Sequence, residues 1–210
     1  LQIGIGAIPD AVLGALRAHR DLGVHSGSLG DSVAQLMQAG VITNACKSRD
    51  RHVSVGGVLL GSRVIHDYAH DNPAIQLRST AYTHDADVLA SLDRFVAINS
   101  AVEVDLTGQI NSEVAAGSYV GAVGGALDFL RGAARAKGGL PIIALPSTAG
   151  SGSRIVARLN GPATIPRSDA GLIVTEFGVA DLRGKTIRER VACMLEIAHP
   201  RHRAALEAQL

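Results

Sequence analysis

The chain predicts an α/β fold, a mixed and mostly parallel sheet flanked by helices, and three observations carry that prediction. Short runs rich in valine and isoleucine recur along its length, among them "RFVAIN", "LPIIALP" and "GLIVTEF". Segments with apolar residues at helical spacing alternate with these runs, as parallel connections require. Glycine clusters stand at several junctions between the two kinds of segment, where tight turns and helix caps belong.

Taken in order, "LQIGIG" predicts a short strand ending in a glycine turn. "IPDAVLGALRAH" follows as a helix, with Pro9 near its start and Val12, Leu13 and Leu16 on one face. "DSVAQLMQAG" predicts a second helix, with Asp31 as its cap and Gly40 as its stop. Strands are then expected in "HVSVGGVLLG", "RFVAIN", "AVEVDL", "LPIIALP", "RIVARL" and "GLIVTEF", and helices over residues 63–69, 126–136 and 187–198. The two strands flanking Asn99 and Ser100 could pair antiparallel, which would make the sheet mixed. With no repeat and no long linker, 1–210 reads as one domain.

Composition narrows the function classes. Three Phe, three Tyr and no Trp leave the core to aliphatic side chains and alanine. A net charge of +1 provides no field for nucleic acid. Cys46 and Cys193 belong to no metal or disulfide motif, which fits a reducing, cytoplasmic setting, and no histidine spacing builds a metal site. No apolar run is long enough for a membrane span. The start at Leu1, inside a strand-like run, predicts that a preceding N-terminal neighbour is missing.

Ligands of such sheets gather where strands give way to helices. Four stretches qualify: "GIGAIP" with Gly4 and Gly6, "VHSGSLGD" with His25, "VGAVGGALDF" with Gly124 and Gly125, and "PSTAGSGSR" ending at Arg154. The first lacks the third glycine of a dinucleotide fingerprint and the lysine of a P-loop. Gly124 and Gly125 precede a helix whose N-terminus favours anions, though tight helix packing explains them equally well. In "DLTGQINSE", Glu113 is the acid nearest a strand-end cleft and Asn111 stands beside it. Arg154 follows a run of hydroxyl and glycine residues able to bind an acidic group, and a solvated loop is the alternative. Ser26 and Ser28 adjoin His25, but no nucleophile elbow is present.

The ordered set "GIGAIPDAV", "LGVHS", "DSVAQLMQAGVITN", "GSRVIHDYAHDNP", "YTHD", "VAINSAVEVDLTGQINSE", "VGGALDF", "IIALPSTA", "SRIV", "IVTEFGVADLRGK" and "IAHP" resembles the C-terminal domain of the acetyl-CoA hydrolase and transferase family, from Leu1 to Pro200. The resemblance implies a CoA-transferase-like fold, a missing N-terminal half, and acyl-CoA with a short-chain carboxylate as partners. A homo-oligomer is left open. It further implies a glutamate nucleophile that forms an acyl anhydride and then a glutamyl-CoA thioester. The position matching that glutamate is Gly27, which has no group for the anhydride. Gly124 and Gly125 then correspond to the CoA-facing loop, Asn111 to a residue near the thioester, and Gly4 and Gly6 to the pocket floor. His84 stands where the family commonly has asparagine. Three explanations of Gly27 follow: acyl-CoA binding without turnover, hydrolysis by water activated by His25 or Glu113, or a carboxylate supplied from elsewhere.

Overall fold

The computed structural model describes residues 1–209. Two compact units are present, Leu1–Asn99 with Arg131–Leu140, and Ser100–Leu130 with the chain from Pro141 onward.

The first unit begins with β1 (Gln2–Ile3) and α1 (Ala7–Ala15), then β2 (Ser28–Leu29), α2 (Asp31–Gln38), β3 (Ser54–Gly56), β4 (Val58–Leu59), α3 (Arg63–Ala69) and β5 (Ile75–Leu77). Two short helices, α4 (Thr80–Thr83) and α5 (Ala86–Ala90), lead to β6 (Val96–Asn99). Three parallel pairings organise it: β1 with β6, β2 with β4, and β3 with β5. Leu29, Leu36, Ile65 and Leu89 are fully buried in its core.

The second unit contains β7 (Glu103–Asp105), β8 (Ile110–Asn111) and the hairpin of β9 (Val114–Ala115) and β10 (Ser118–Tyr119). Helix α6 (Ala126–Arg135) begins in this unit and ends in the first, and β11 (Leu140–Ala144) brings the chain back. The hairpin β12–β13 (Thr148–Ala149, Gly152–Ser153), β14 (Ile155–Val156), β15 (Leu172–Thr175), β16 (Gly178–Asp181), α7 (Ile187–Ile197) and α8 (Pro200–Glu207) complete it. Pairing is parallel for β11 with β15 and for β14 with β7, and antiparallel for β15 with β16 and β7 with β8. The predicted mixed, mostly parallel α/β architecture is therefore present.

Two expectations are corrected. Strands β6 and β7 do not form an antiparallel pair. β6 is buried over most of its length and pairs with β1, where the side-chain amides of Gln2 and Asn99 exchange hydrogen bonds of 3.1 and 2.9 Å. β7 instead turns into β8 through Gly108 (φ 96°), with the Asp105 carboxylate accepting from the amides of Thr107 and Gln109. Asp31 does not cap α2, because Gly30 occupies that position and Asp31 is the first helical residue. Its carboxylate turns outward to the start of α3, accepting from the backbone amides of Ser62 and Ile65 at 3.0 and 3.1 Å. Gly40 does end α2, in the left-handed conformation (φ 70°) that a helix stop favours.

Candidate active site

In the first unit, the loop carrying Gly27 is tied down at every residue. The His25 amide donates to the Leu1 carbonyl and the Ser26 amide to the Val55 carbonyl, at 2.9 and 3.0 Å. The Ser26 hydroxyl donates to the Ile3 carbonyl at 3.2 Å and accepts from the Ile3 amide. The Gly27 carbonyl accepts from the amides of Gly57 and Val58 at 3.0 and 3.2 Å. At Gly57 a Cβ would stand 2.9 Å from that same carbonyl, so the close approach requires glycine there. Gly27 itself lies outside the positive-φ region that favours glycine.

His25 is 1% exposed, and its Nε2 lies 3.1 Å from the Thr83 carbonyl. A carbonyl only accepts, so Nε2 carries the proton and Nδ1 is a bare lone pair, buried and without a partner. Burial chiefly pushes the imidazole down to about 4; the Thr83 bond opposes this and the Lys47 ammonium adds to it. The ring packs 5.9 Å from Tyr82 and edge-on to Phe95. Tyr82 in turn donates to Asp50 at 2.8 Å and lies beneath the Arg78 guanidinium at 4.5 Å. His25 is thus a neutral post that holds the loop.

The strand–turn–helix of Gly4 and Gly6 lies beside this loop. Gly6 (φ 126°) precedes α1, and a Cβ at Gly4 would meet the Asn99 side chain at 2.8 Å. Together the two loops border a cavity of about 340 Å³, lined by Ile3, Leu13, Val33 and Leu60, by Ser28, and by Asp10 from the first turn of α1. Two stretches separate in sequence are thereby brought to one cavity.

In the second unit, Asn111 is fully buried and both amide hydrogens are committed, to Glu103 at 3.0 Å and to the Val114 carbonyl at 2.8 Å. Its oxygen accepts from the amides of Glu113 and Val114. No amide hydrogen is left over for a substrate oxyanion; Asn111 shapes the loop. Glu103 also accepts from the Asn160 amide and side chain at 2.7 and 2.8 Å. Glu113 is half-buried and accepts from the Thr164 hydroxyl at 2.8 Å. Gly124 (φ 57°) sits in the turn before α6, and the Gly125 carbonyl accepts from the Phe129 amide. Arg154 donates to the Ala101 carbonyl at 3.4 Å, while its Nε is buried without a partner. Glu176 accepts from both the amide and hydroxyl of Ser147, at 2.8 and 2.6 Å, joining "PSTA" to "TEFG". These hydrogen bonds and its surroundings hold that carboxyl below the usual range against the opposing effect of burial.

Sequence reasoning missed Thr83 and Tyr82 as the supports of His25, Asn160 as the partner of Glu103, and Asp10 as a cavity residue. Only the turn position of "IPD" pointed to Asp10; the other partners are too distant in sequence to leave a spacing signal. No group of three His, Cys, Asp or Glu able to hold a metal ion occurs among the described residues. No helix among them is long and apolar enough to cross a membrane.

The parallel pairings and the glycine turns ahead of helices define a CoA-transferase-like α/β protein. RipA from Yersinia pestis superposes with a TM-score of 0.94 at 43% identity, over 99% of this chain and 48% of that one. The 4-hydroxybutyrate CoA-transferase of Porphyromonas gingivalis gives 0.86 at 41% identity, over 99% and 50%. The 4-hydroxybutyrate coenzyme A transferase of Clostridium kluyveri is 44% identical over 98% of this chain and 49% of its own length. The acetyl-CoA hydrolase/transferase C-terminal domain profile matches residues 61–210, and the chain belongs to that family. It spans about half the length of the curated relatives it matches.

Proposed function

We propose that the protein handles short-chain acyl-CoA thioesters, as a CoA-transferase or acyl-CoA hydrolase of its family. The observation carrying this reading is the match to the acetyl-CoA hydrolase/transferase C-terminal domain and, at 41% identity, to the 4-hydroxybutyrate CoA-transferase of Porphyromonas gingivalis, with the Gly27 loop bonded to Ile3 beside the glycine turn of α1. In this reading Gly124 and Gly125 of the second unit face CoA and the unpartnered Nε of Arg154 is a donor for an acidic group of the ligand, while Gly4 and Gly6 of the first unit form the floor of that unit's own cavity. Asn111 is a positioning residue, and Glu113 is the acid left for proton transfer. The partners are an acyl-CoA, a short-chain carboxylate and the N-terminal half that completes the cleft, in a cytoplasmic setting that two free cysteines suit.

A second reading, acyl-CoA binding without covalent turnover, is favoured by the loop itself. Gly27 has no nucleophile, Ser26 is committed to Ile3, and an imidazole held near 4 is a weak base at neutral pH. Exchange of labelled acetate into acetyl-CoA, measured on the complete protein and its Gly27→Glu form, separates the two. Exchange only in the glutamate form rules out covalent transfer by the unaltered protein and leaves binding alone or direct hydrolysis, which release of free CoA from acetyl-CoA by the unaltered protein then separates. Robust exchange by the unaltered protein refutes the second reading and shows that another group supplies the chemistry. Failure of both forms to bind CoA at all overturns the acyl-CoA assignment.

A further inference from the structure

The cavity beside the Gly27 loop has a divided lining. Ile3, Leu13 and Val33 are buried and make an apolar floor, and Leu60 and Ile5 stand at the rim, 48% and 73% exposed. Glycines close the walls: a Cβ at Gly61 would lie 2.6 Å from the Asp31 carboxylate, and one at Gly30 would lie 3.2 Å from the Leu60 carbonyl. The cavity's 340 Å³ equals the liquid volume of roughly ten waters, ample for a chain of a few carbons. Asp10 is the one ionisable residue in that lining. Asp10 is exposed, and among the described residues no side-chain hydrogen bond or ion pair engages its carboxylate, which complements the dipole of α1.

We propose that this cavity receives the acyl chain and that Asp10 is a specificity-determining residue, admitting uncharged acyl groups and rejecting those that end in a second carboxylate. The inference rests on the acyl-CoA reading above. An apolar floor rewards methylene groups in proportion to the area they bury. An unpaired carboxylate at the exposed mouth of the cavity repels a like charge brought beside it, a solvent-screened term against the dicarboxylic acyl group. A neutral chain of the same length meets no such term. Discrimination by charge also weakens with added salt, whereas discrimination by size does not.

The test compares the affinities of CoA, butyryl-CoA and succinyl-CoA for the complete protein, for Asp10→Asn and Asp10→Ser, and for Leu60→Trp at the exposed rim. The unaltered protein is expected to prefer butyryl-CoA over succinyl-CoA by about tenfold, a preference that salt reduces and that both Asp10 variants largely remove. Leu60→Trp is expected to lower the advantage of butyryl-CoA over free CoA, because the indole occupies the mouth. Binding of CoA with a butyryl-to-succinyl ratio that neither Asp10 variant changes overturns the role of Asp10 and leaves the acyl-CoA reading intact. Absence of binding for all three ligands overturns the acyl-CoA reading itself.

Discussion

His25 makes stability depend on pH in a way that can be worked out from the structure. An unfolded histidine titrates near 6.5, and burial holds this one at about 4. Between those values the unfolded chain binds a proton that the folded chain refuses, so stability rises with pH across the window and is complete above 6.5. At about 1.36 kcal/mol per pH unit, the gap amounts to about 3 kcal/mol lost on going from neutral pH to pH 4. Replacement by glutamine keeps an N–H donor for the Thr83 carbonyl and removes the titration. Urea unfolding at intervals from pH 7.5 to 4 is the assay, with the difference between the two proteins taken at each pH. That difference is expected to shift by about 3 kcal/mol in favour of His25→Gln toward pH 4, the carboxylates common to both cancelling. Parallel profiles would refute the buried, neutral imidazole and restore His25 as a candidate base.

Two further substitutions probe the supports in the second unit. Glu103→Gln places an amide donor against the donors of Asn160 or Asn111, and a loss of about 2 kcal/mol is expected by urea unfolding, with faster hydrogen exchange at the amides of Glu113 and Val114. Unchanged exchange there would show that Asn111 does not hold the loop. Thr186→Ala removes the hydroxyl of a capping box whose Glu189 carboxylate reaches back to the Thr186 amide, so α7 is expected to weaken by about 1 kcal/mol. An unaltered unfolding midpoint would mean that packing alone fixes the start of α7.

The sequence by itself determined the alternation of strands and helices, because apolar periodicity is a local signal. It located α1, α2, α3, α6 and α7 closely, and it singled out Gly27 as the position where the family's motif departs. It did not reveal α4, α5 or α8. The first two are too short to show a period, and α8 depends on His199 capping the Arg201 amide with Pro200 at its first turn. The roles of the candidate residues belonged to the tertiary structure alone. Whether Asn111 has a free amide hydrogen depends on Glu103 and Val114, and whether His25 is a base depends on the burial imposed by Tyr82, Phe95 and Thr83. Asp10 and Leu60 meet at one cavity across fifty residues of chain. Hydrogen-bond commitment and desolvation are set by neighbours distant in sequence, and folding alone brings those neighbours together.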